Sequence, residues 1–200
     1  MTQKKFYMQY FSKKKDKKIK APLSWHSIIS TWFYIGMLPA SGTFGSIAAY
    51  PIFYYIEMRS YPSITNKMML LLVILILSII GFFAIKQFQK MTNTCDHRYI
   101  VIDEVIGQLL TLYITSDYIL FFSYFVVPTN HLYNTVISFS VALVTFRYFD
   151  IKKPLIIDYI NTKCKNAFGV IFDDILASIF ASITIYIIYM TLTILMTLLH

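Results

Sequence analysis

Acidic residues are scarce in this chain, ten among 200, and cysteine is scarcer, at two. Cys95 and Cys164 stand far apart without C-x-x-C spacing. That pattern excludes a disulfide framework and a thiolate zinc site. Neither cysteine is followed by the phosphate-cradling loop and arginine that a cysteine phosphatase requires. No internal repeat and no low-complexity linker occurs after residue 20. Charged residues of both signs make up only 14% of the chain, against 57% hydrophobic, and mean hydropathy is +0.60. Such a balance lies outside the soluble range.

What is present is a set of long apolar runs. Met68 to Ile85 contains no charge, and Ile175 to Leu199 is apolar apart from scattered Ser and Thr. Roughly 20 such residues cross a ~30 Å hydrocarbon core, and buried helices of soluble domains rarely stay apolar on every face for so long. Trp25 to Leu38 is short and ends in Pro39-Ala40-Ser41-Gly42, so it reads as an interfacial or re-entrant helix. Thr43 to Glu57 then crosses, Arg59 to Lys67 forms a loop, and Met68 to Ile85 returns. Val105 to Val127 and the run ending at Phe149 form a hairpin about Pro128-Thr129-Asn130. A turn at Thr115-Ser116-Asp117, which would make Tyr118 to Val127 a separate short segment, stays open. The expected fold is an all-α, polytopic helical membrane bundle of about five to six helices. Residues 1–20 form a basic tail, and residues 21–200 form one membrane-embedded domain.

Net charge is unevenly distributed. Lys4, Lys5, Lys13, Lys14, Lys15, Lys17, Lys18 and Lys20 face Asp16 alone, which gives the first twenty residues +7 of the total +8. A basic tail before apolar spans predicts a cytoplasmic N-terminus. The lysines suit anionic membrane lipids, at roughly 1 kcal/mol each near the surface. The tail offers no folded module for nucleic acid. The apolar run does not directly follow the basic stretch, so no cleavable signal peptide is expected.

Six of the ten acids fall at four positions: Asp96, Asp103-Glu104, Asp150 and Asp173-Asp174. Each lies beside an apolar segment, where carboxylates are costly and mark function. Counting the spans brings all four positions to one membrane face, together with Lys86, Lys90, Arg98, Lys152, Lys153, Lys163 and Lys165. Converging carboxylates suit a hard divalent cation, and Mg²⁺ takes oxygen ligands together with substrate phosphate oxygens. If residues 96–114 are helical, Asp96, Ile100, Asp103 and Gly107 share a face. Arg147 and Asp150 are i, i+3 neighbours, and Lys153 lies two turns beyond Arg147, just before Pro154. Taken singly, each group has a plainer reading: an ion pair for Arg147–Asp150, helix capping for Asp173-Asp174, an interfacial pair for Asp103-Glu104. Their conjunction favours a site. Gly42 and Gly45, with the hydroxyls of Thr43 and Ser46, can hold an anion or equally serve close helix packing. His26 and His97 can carry protons or serve as interfacial polar residues.

The ordered segments Gly42-Thr43-Phe44-Gly45-Ser46, Asp96-His97 with Ile102-Asp103-Glu104-Val105-Ile106-Gly107, Phe146-Arg147-Tyr148-Phe149-Asp150-Ile151-Lys152-Lys153-Pro154, and Gly169-Val170-Ile171-Phe172-Asp173-Asp174-Ile175-Leu176-Ala177 resemble phosphatidylglycerophosphatase A. Trp25-His26 resembles the start of that family, so the likeness runs from residue 25 to the vicinity of Phe180. It departs from the family at Ile156, where a second proline is usual, at Asn166-Ala167 in place of Gly-Gly, at Ser178 in place of Gly, and at Asn161 in place of Asp. The resemblance implies a Mg²⁺-dependent phosphatase of the bacterial inner membrane that converts phosphatidylglycerophosphate to phosphatidylglycerol. With the chemistry above, it assigns Asp103, Glu104, Asp150, Asp173 and Asp174 as catalytic metal ligands, with Asp96 beside them. Arg147, Lys153, Gly42, Thr43, Gly45 and Ser46 would hold the terminal phosphate at the cytoplasmic membrane face. A carboxylate nucleophile, with Asp103 the candidate, stays open.

Competing classes lack their marks. A phosphatidyltransferase carries D-G-x2-A-R, which is absent, and Ala40-Ser41-Gly42-Thr43 lacks the histidine of the P-S-G-H lipid phosphatases. An ion-coupled transporter places its carboxylates near the bilayer midplane and usually repeats itself; here the acids stand at span ends. A phosphatase of another lipid phosphomonoester remains an alternative, and the sequence leaves oligomeric state open.

Overall fold

The computed structural model describes residues 23–57, 64–94, 97–126, 131–154, 156–164 and 166–198. These residues form helices, with no strand among them. The order is α1 (Trp25–Ser30), a 3₁₀ turn (Ile35–Met37), α2 (Ser41–Ile47), α3 (Tyr50–Glu57), α4 (Ile64–Thr92), α5 (Ile102–Val126), α6 (His131–Lys152), α7 (Ile156–Lys163) and α8 (Ala167–Leu198). The all-α expectation holds. Among the described residues three helices are long and apolar enough to cross a membrane: α4, residues 102–123 of α5, and α8. The 22-residue α6 is as long as that part of α5, but its inner face carries Asn134, Thr135 and Ser138.

The bundle is built around α5, which packs against α8, α6, α4 and α2. Its apolar window is 61% buried, against 28% for α4 and 17% for α8. The uncharged polar residues Gln108, Thr111, Thr115, Ser116 and Ser123 suit that central position, because they are buried against protein. Thr111 donates to the Gly107 carbonyl and Thr115 to that of Thr111, so their buried hydroxyls are satisfied within the helix. The facing helices present small residues at four-residue spacing. On α6 these are Ser138 and Ala142; on α8 they are Ala177 and Ala181, beside Ser178 and Ser182. Side chains of this size let helix backbones approach closely.

Gly107 is the closest junction. A Cβ there would lie 2.6 Å from Phe146 Cζ on α6 and 3.2 Å from Asp174 Cβ on α8. Three helices therefore meet at one missing side chain, one turn beyond Asp103.

Several local expectations change. Trp25 to Leu38 is not one helix. The chain reverses after α1 through Trp32, Phe33 and Tyr34, all with positive φ, and the Thr31 hydroxyl accepts from Tyr34 N at 3.0 Å. Thr43 to Glu57 is not one crossing helix either: α2 and α3, of 7 and 8 residues, join at Ala48–Ala49. At 1.5 Å per residue neither alone reaches across a core of ~30 Å. Residues 96–114 do not form a continuous helix, since α5 begins at Ile102. The preceding strip is held by Val101 N donating to Ser30 O and by Gly36, whose missing side chain makes room for the Tyr99 carbonyl. Ile100 therefore leaves the face shared by Asp103 and Gly107. Asp96 and the turn at Pro128-Thr129-Asn130 lie outside the described residues. Thr115-Ser116-Asp117 is helical within α5, so no separate segment begins at Tyr118. Asp173-Asp174 does not cap α8: that helix starts at Ala167, and Asn166 Oδ1 caps it by accepting from Gly169 N at 2.8 Å.

Gly107→Ala forces Phe146 or α8 outward and should cost about 1–3 kcal/mol, as overpacking does. The expected readout is a lowered unfolding temperature in detergent. An unchanged temperature would show that the junction is not close-packed.

Candidate active site

Four elements supply the site, each for a local reason. The first turn of α5 carries Asp103 and Glu104, next to the free backbone N–H groups of its N-terminus, where negative charge is favoured. The last turn and a half of α6 carries Arg147 and Asp150, which form an i, i+3 ion pair. The second turn of α8 brings Asp173 and Asp174. The first turn of α2 closes the side, with Gly42 set against the Glu104 carboxylate and the Arg147 guanidinium. A side chain at Gly42 would lie 2.8 Å from Arg147 Nη2, so the glycine is what admits both groups. The resulting cavity has a volume of about 410 Å³.

Lys153 reaches the site by an unusual backbone. It follows α6 with φ of 40°, and its N–H bonds Phe149 O at 2.8 Å, the arrangement of a left-handed helix cap. Glycine is the usual occupant, and a lysine there costs about 1–3 kcal/mol in strain. The turn sends Nζ across to Asp173 Oδ2 at 2.5 Å. Burial acts to lower the Lys153 pKa, but the hydrogen bond to Asp173 and the charges of Asp173, Asp174 and Asp150 outweigh it and raise the pKa above 10.5. A raised cationic pKa contributes stability that is complete below pH 10.5. It is lost only as pH climbs through the raised value.

The carboxylates divide into two sets. Asp150 is paired with Arg147 and Asp173 with Lys153. Asp103, Glu104 and Asp174 each present one ligand oxygen, all within 4.8 Å of one another. Asp103 Oδ1, Glu104 Oε2 and Asp174 Oδ2 are buried and have no hydrogen-bond partner among the described residues. Arg147 Nη1 stands 3.9 Å from the other Glu104 oxygen. If all three are ionised, each pair at that separation repels by about 3.5 kcal/mol at an effective dielectric of ~20. Three pairs give roughly 10 kcal/mol, comparable with the whole stability of a domain. Bound protons or a cation must offset that. An all-oxygen, all-acid donor set suits a hard divalent ion, and the acidic cluster could bind one.

Of the residues singled out in the sequence, Asp103, Glu104, Asp150, Asp173, Asp174, Gly42, Thr43, Arg147 and Lys153 line this one cavity. Gly45 and Ser46 do not. Gly45 packs on Val101, and the buried Ser46 hydroxyl donates to Gly42 O, so both shape α2 from behind. His97 lines the cavity, whereas His26 stacks on Trp25 at 3.6 Å. Arg98, which the sequence placed on this membrane face, and Gln108 had been given no role in the site. Arg98 lines the rim, and its carbonyl accepts from Ser41 Oγ at 2.8 Å, tying the strip before α5 to α2. Gln108 is wholly buried one turn beyond Glu104, with neither amide atom partnered among the described residues. A lone amide four residues after an acid, inside an apolar run, was its sequence signal.

The sequence model of Phosphatidylglycerophosphatase A matches residues 28–189. The chain is similar to Phosphatidylglycerophosphatase A of Haemophilus influenzae, 28% identical over 160 residues, covering 80% of this chain and 85% of that one. It is similar to Phosphatidylglycerophosphatase A of Escherichia coli, 28% identical over 170 residues, covering 84% and 86%. No solved structure matches. The matched stretch takes in α2, both acidic helix starts and the end of α6, so every wall of the cavity falls within it: the chain belongs to the phosphatidylglycerophosphatase A family.

Proposed function

We propose that this protein hydrolyses the terminal phosphomonoester of phosphatidylglycerophosphate to phosphatidylglycerol, with Mg²⁺ held by Asp103, Glu104 and Asp174. The carrying observation is that three carboxylates, each with one buried oxygen that has no hydrogen-bond partner among the described residues, stand beside two cations, Arg147 and Lys153, in one cavity. Acids alone would repel a phosphate and cations alone would bind it without chemistry. Together they match a phosphate approaching a metal.

When bound, Mg²⁺ supplies Lewis-acid stabilisation of the phosphoryl oxygens and lowers the pKa of water. The protein does the rest by position. Arg147 offers its guanidinium fork and Lys153 its ammonium to the non-bridging oxygens, and Asp150 and Asp173 hold those two cations in place. Gly42 and Thr43 let the phosphate approach the α2 backbone. Water attacks phosphorus as the P–O bond to glycerol breaks, or the Asp103 carboxylate does so and water then hydrolyses the aspartyl-phosphate to release phosphate; the departing glycerol oxygen takes up a proton. His97, in the lining, is the group placed to give it. Asp96, which neighbours His97 in sequence, keeps the assignment made for it there, beside the metal.

The surroundings follow from the same reading. The acids stand at the ends of α5 and α8, helices able to cross a membrane, so the phosphate is met at the head-group plane while acyl chains stay in lipid. The site belongs to the cytoplasmic face of a bacterial inner membrane. The lysines of residues 1–20 rest there on anionic lipids, ahead of a single catalytic domain over 21–200.

Protein purified in detergent should release phosphate from phosphatidylglycerophosphate with Mg²⁺ and lose that activity in EDTA. Phosphatidic acid should be the poorer substrate. Equal release in EDTA would contradict the metal assignment, and a preference for phosphatidic acid the substrate. Asp103→Asn should lower turnover by more than about 10²-fold in folded protein. Lys153→Gly keeps the left-handed cap but loses one charged contact, so kcat/KM should fall about 10- to 100-fold. Near-native activity in either variant would remove that residue from its role.

A further inference from the structure

Among the described residues, two of the apolar grooves on the surface of the bundle differ in height. One, of about 310 Å³, lies between α4 and α8, with Phe168, Phe172 and Ile175 along its α8 wall. Those residues bracket Asp173 and Asp174, so this groove is level with the carboxylates. At 100° per residue these three stand about 100–160° around α8 from Asp174. The other, of about 440 Å³, has Phe44 and Ile47 of α2 and the following Ala48 on one side, with Pro51 of α3 and Val136 and Phe139 of α6 among the rest of its lining. Its Phe44 directly follows Gly42 and Thr43, which line the phosphate cavity. Phe139 and Val136 lie eight and eleven residues before Arg147. At 1.5 Å per residue the groove thus extends about 12–16 Å along α6 from the guanidinium. One leaflet of a ~30 Å hydrocarbon core is about that deep.

We propose that this second groove receives an acyl chain of the lipid substrate. The proposal rests on the lipid-phosphatase reading above and names the site that holds the other end of that molecule. In a phosphatidylglycerophosphate, two glycerol units and a second phosphate separate the terminal phosphate from the acyl esters. The chains must therefore be received well away from the carboxylates, on an apolar surface continuous with the cavity. The α2–α3–α6 groove lies at that distance and adjoins the cavity in the chain, its Phe44 following Thr43; the α4–α8 groove, level with the acids, lacks the distance. Phe44, Ile47 and Val136 are each 42% exposed, open enough to take a chain without rearrangement.

Groove-filling variants test this against chain length. Ile47→Trp and Ala48→Phe are assayed with long-chain diacyl and with dihexanoyl phosphatidylglycerophosphate, with Ile79→Trp in the other groove as control. For the long-chain lipid KM should rise about tenfold, the scale of a changed apolar contact. Its kcat, both constants for the short-chain lipid, and the control should stay near wild type. Unchanged long-chain KM, or equal effects on both lipids, would overturn the proposal. Because Ile47 is partly exposed, its variant tests the groove even if Ala48→Phe misfolds. A wild-type protein that releases phosphate from neither lipid would instead defeat the phosphatase reading. The groove is then decided by phosphatidylglycerophosphate carrying a mid-chain diazirine in mixed micelles: crosslinks concentrated at residues 44–51 and 136–139 support it, and crosslinks spread evenly over α4 and α8 overturn it.

Discussion

Three carboxylates are brought together at the junction of α5 and α8, and most of the architecture around them follows from the repulsion this creates. Asp103, Glu104 and Asp174 lie where two helices touch at Gly107, too close to one another and too buried to be left uncompensated. The helices supply the closeness, because small residues on α6 and α8 allow tight packing. Their acids supply a charge density that only protons or a cation relieves. A site under that tension has a built-in affinity for positive charge, and the energy that holds the helices together is what keeps the acids apart from water.

The two protein cations relieve it only in part, Arg147 standing 3.9 Å from one Glu104 oxygen. Arg147 is committed to Asp150 and Lys153 to Asp173, so each is anchored by an acid outside the unpartnered set. Such anchoring leaves them as oriented, fully charged donors at the cavity, which suits a phosphate arriving with its own negative oxygens. The Lys153 backbone carries the cost. A left-handed turn that glycine would adopt freely is held by lysine, and strain of this kind persists where surrounding structure fixes it and function uses it.

Much of this was legible in the sequence because helices keep spacing. Arg147 and Asp150 are three residues apart and stay together on α6; Asp103 and Gly107 are four apart and share a face of α5. The apolar runs announced the long helices, and scarcity made the few acids conspicuous. What was not legible depended on contacts between distant segments. The start of α5 at Ile102 is set by Val101 bonding Ser30 and by the Tyr99 carbonyl passing Gly36, neither visible as a local propensity. The division of the acids likewise depends on which cation reaches which carboxylate across helices. Gly45 and Ser46 belonged to a glycine-rich motif, yet they face Val101 and the α2 backbone, since a two-turn helix can turn only part of its surface to a cavity.

Metal binding without substrate tests the central claim most directly, because it reads the carboxylate cluster apart from catalysis. Mn²⁺, as a paramagnetic stand-in for Mg²⁺, is titrated into the detergent-purified protein and followed by electron paramagnetic resonance, with Asp174→Asn and Asp158→Asn compared. The account predicts saturable binding displaced by Mg²⁺, lost in Asp174→Asn and kept in Asp158→Asn, whose side chain is outside the cavity. Binding that is unchanged by Asp174→Asn, or absent from the folded wild-type protein, would contradict it.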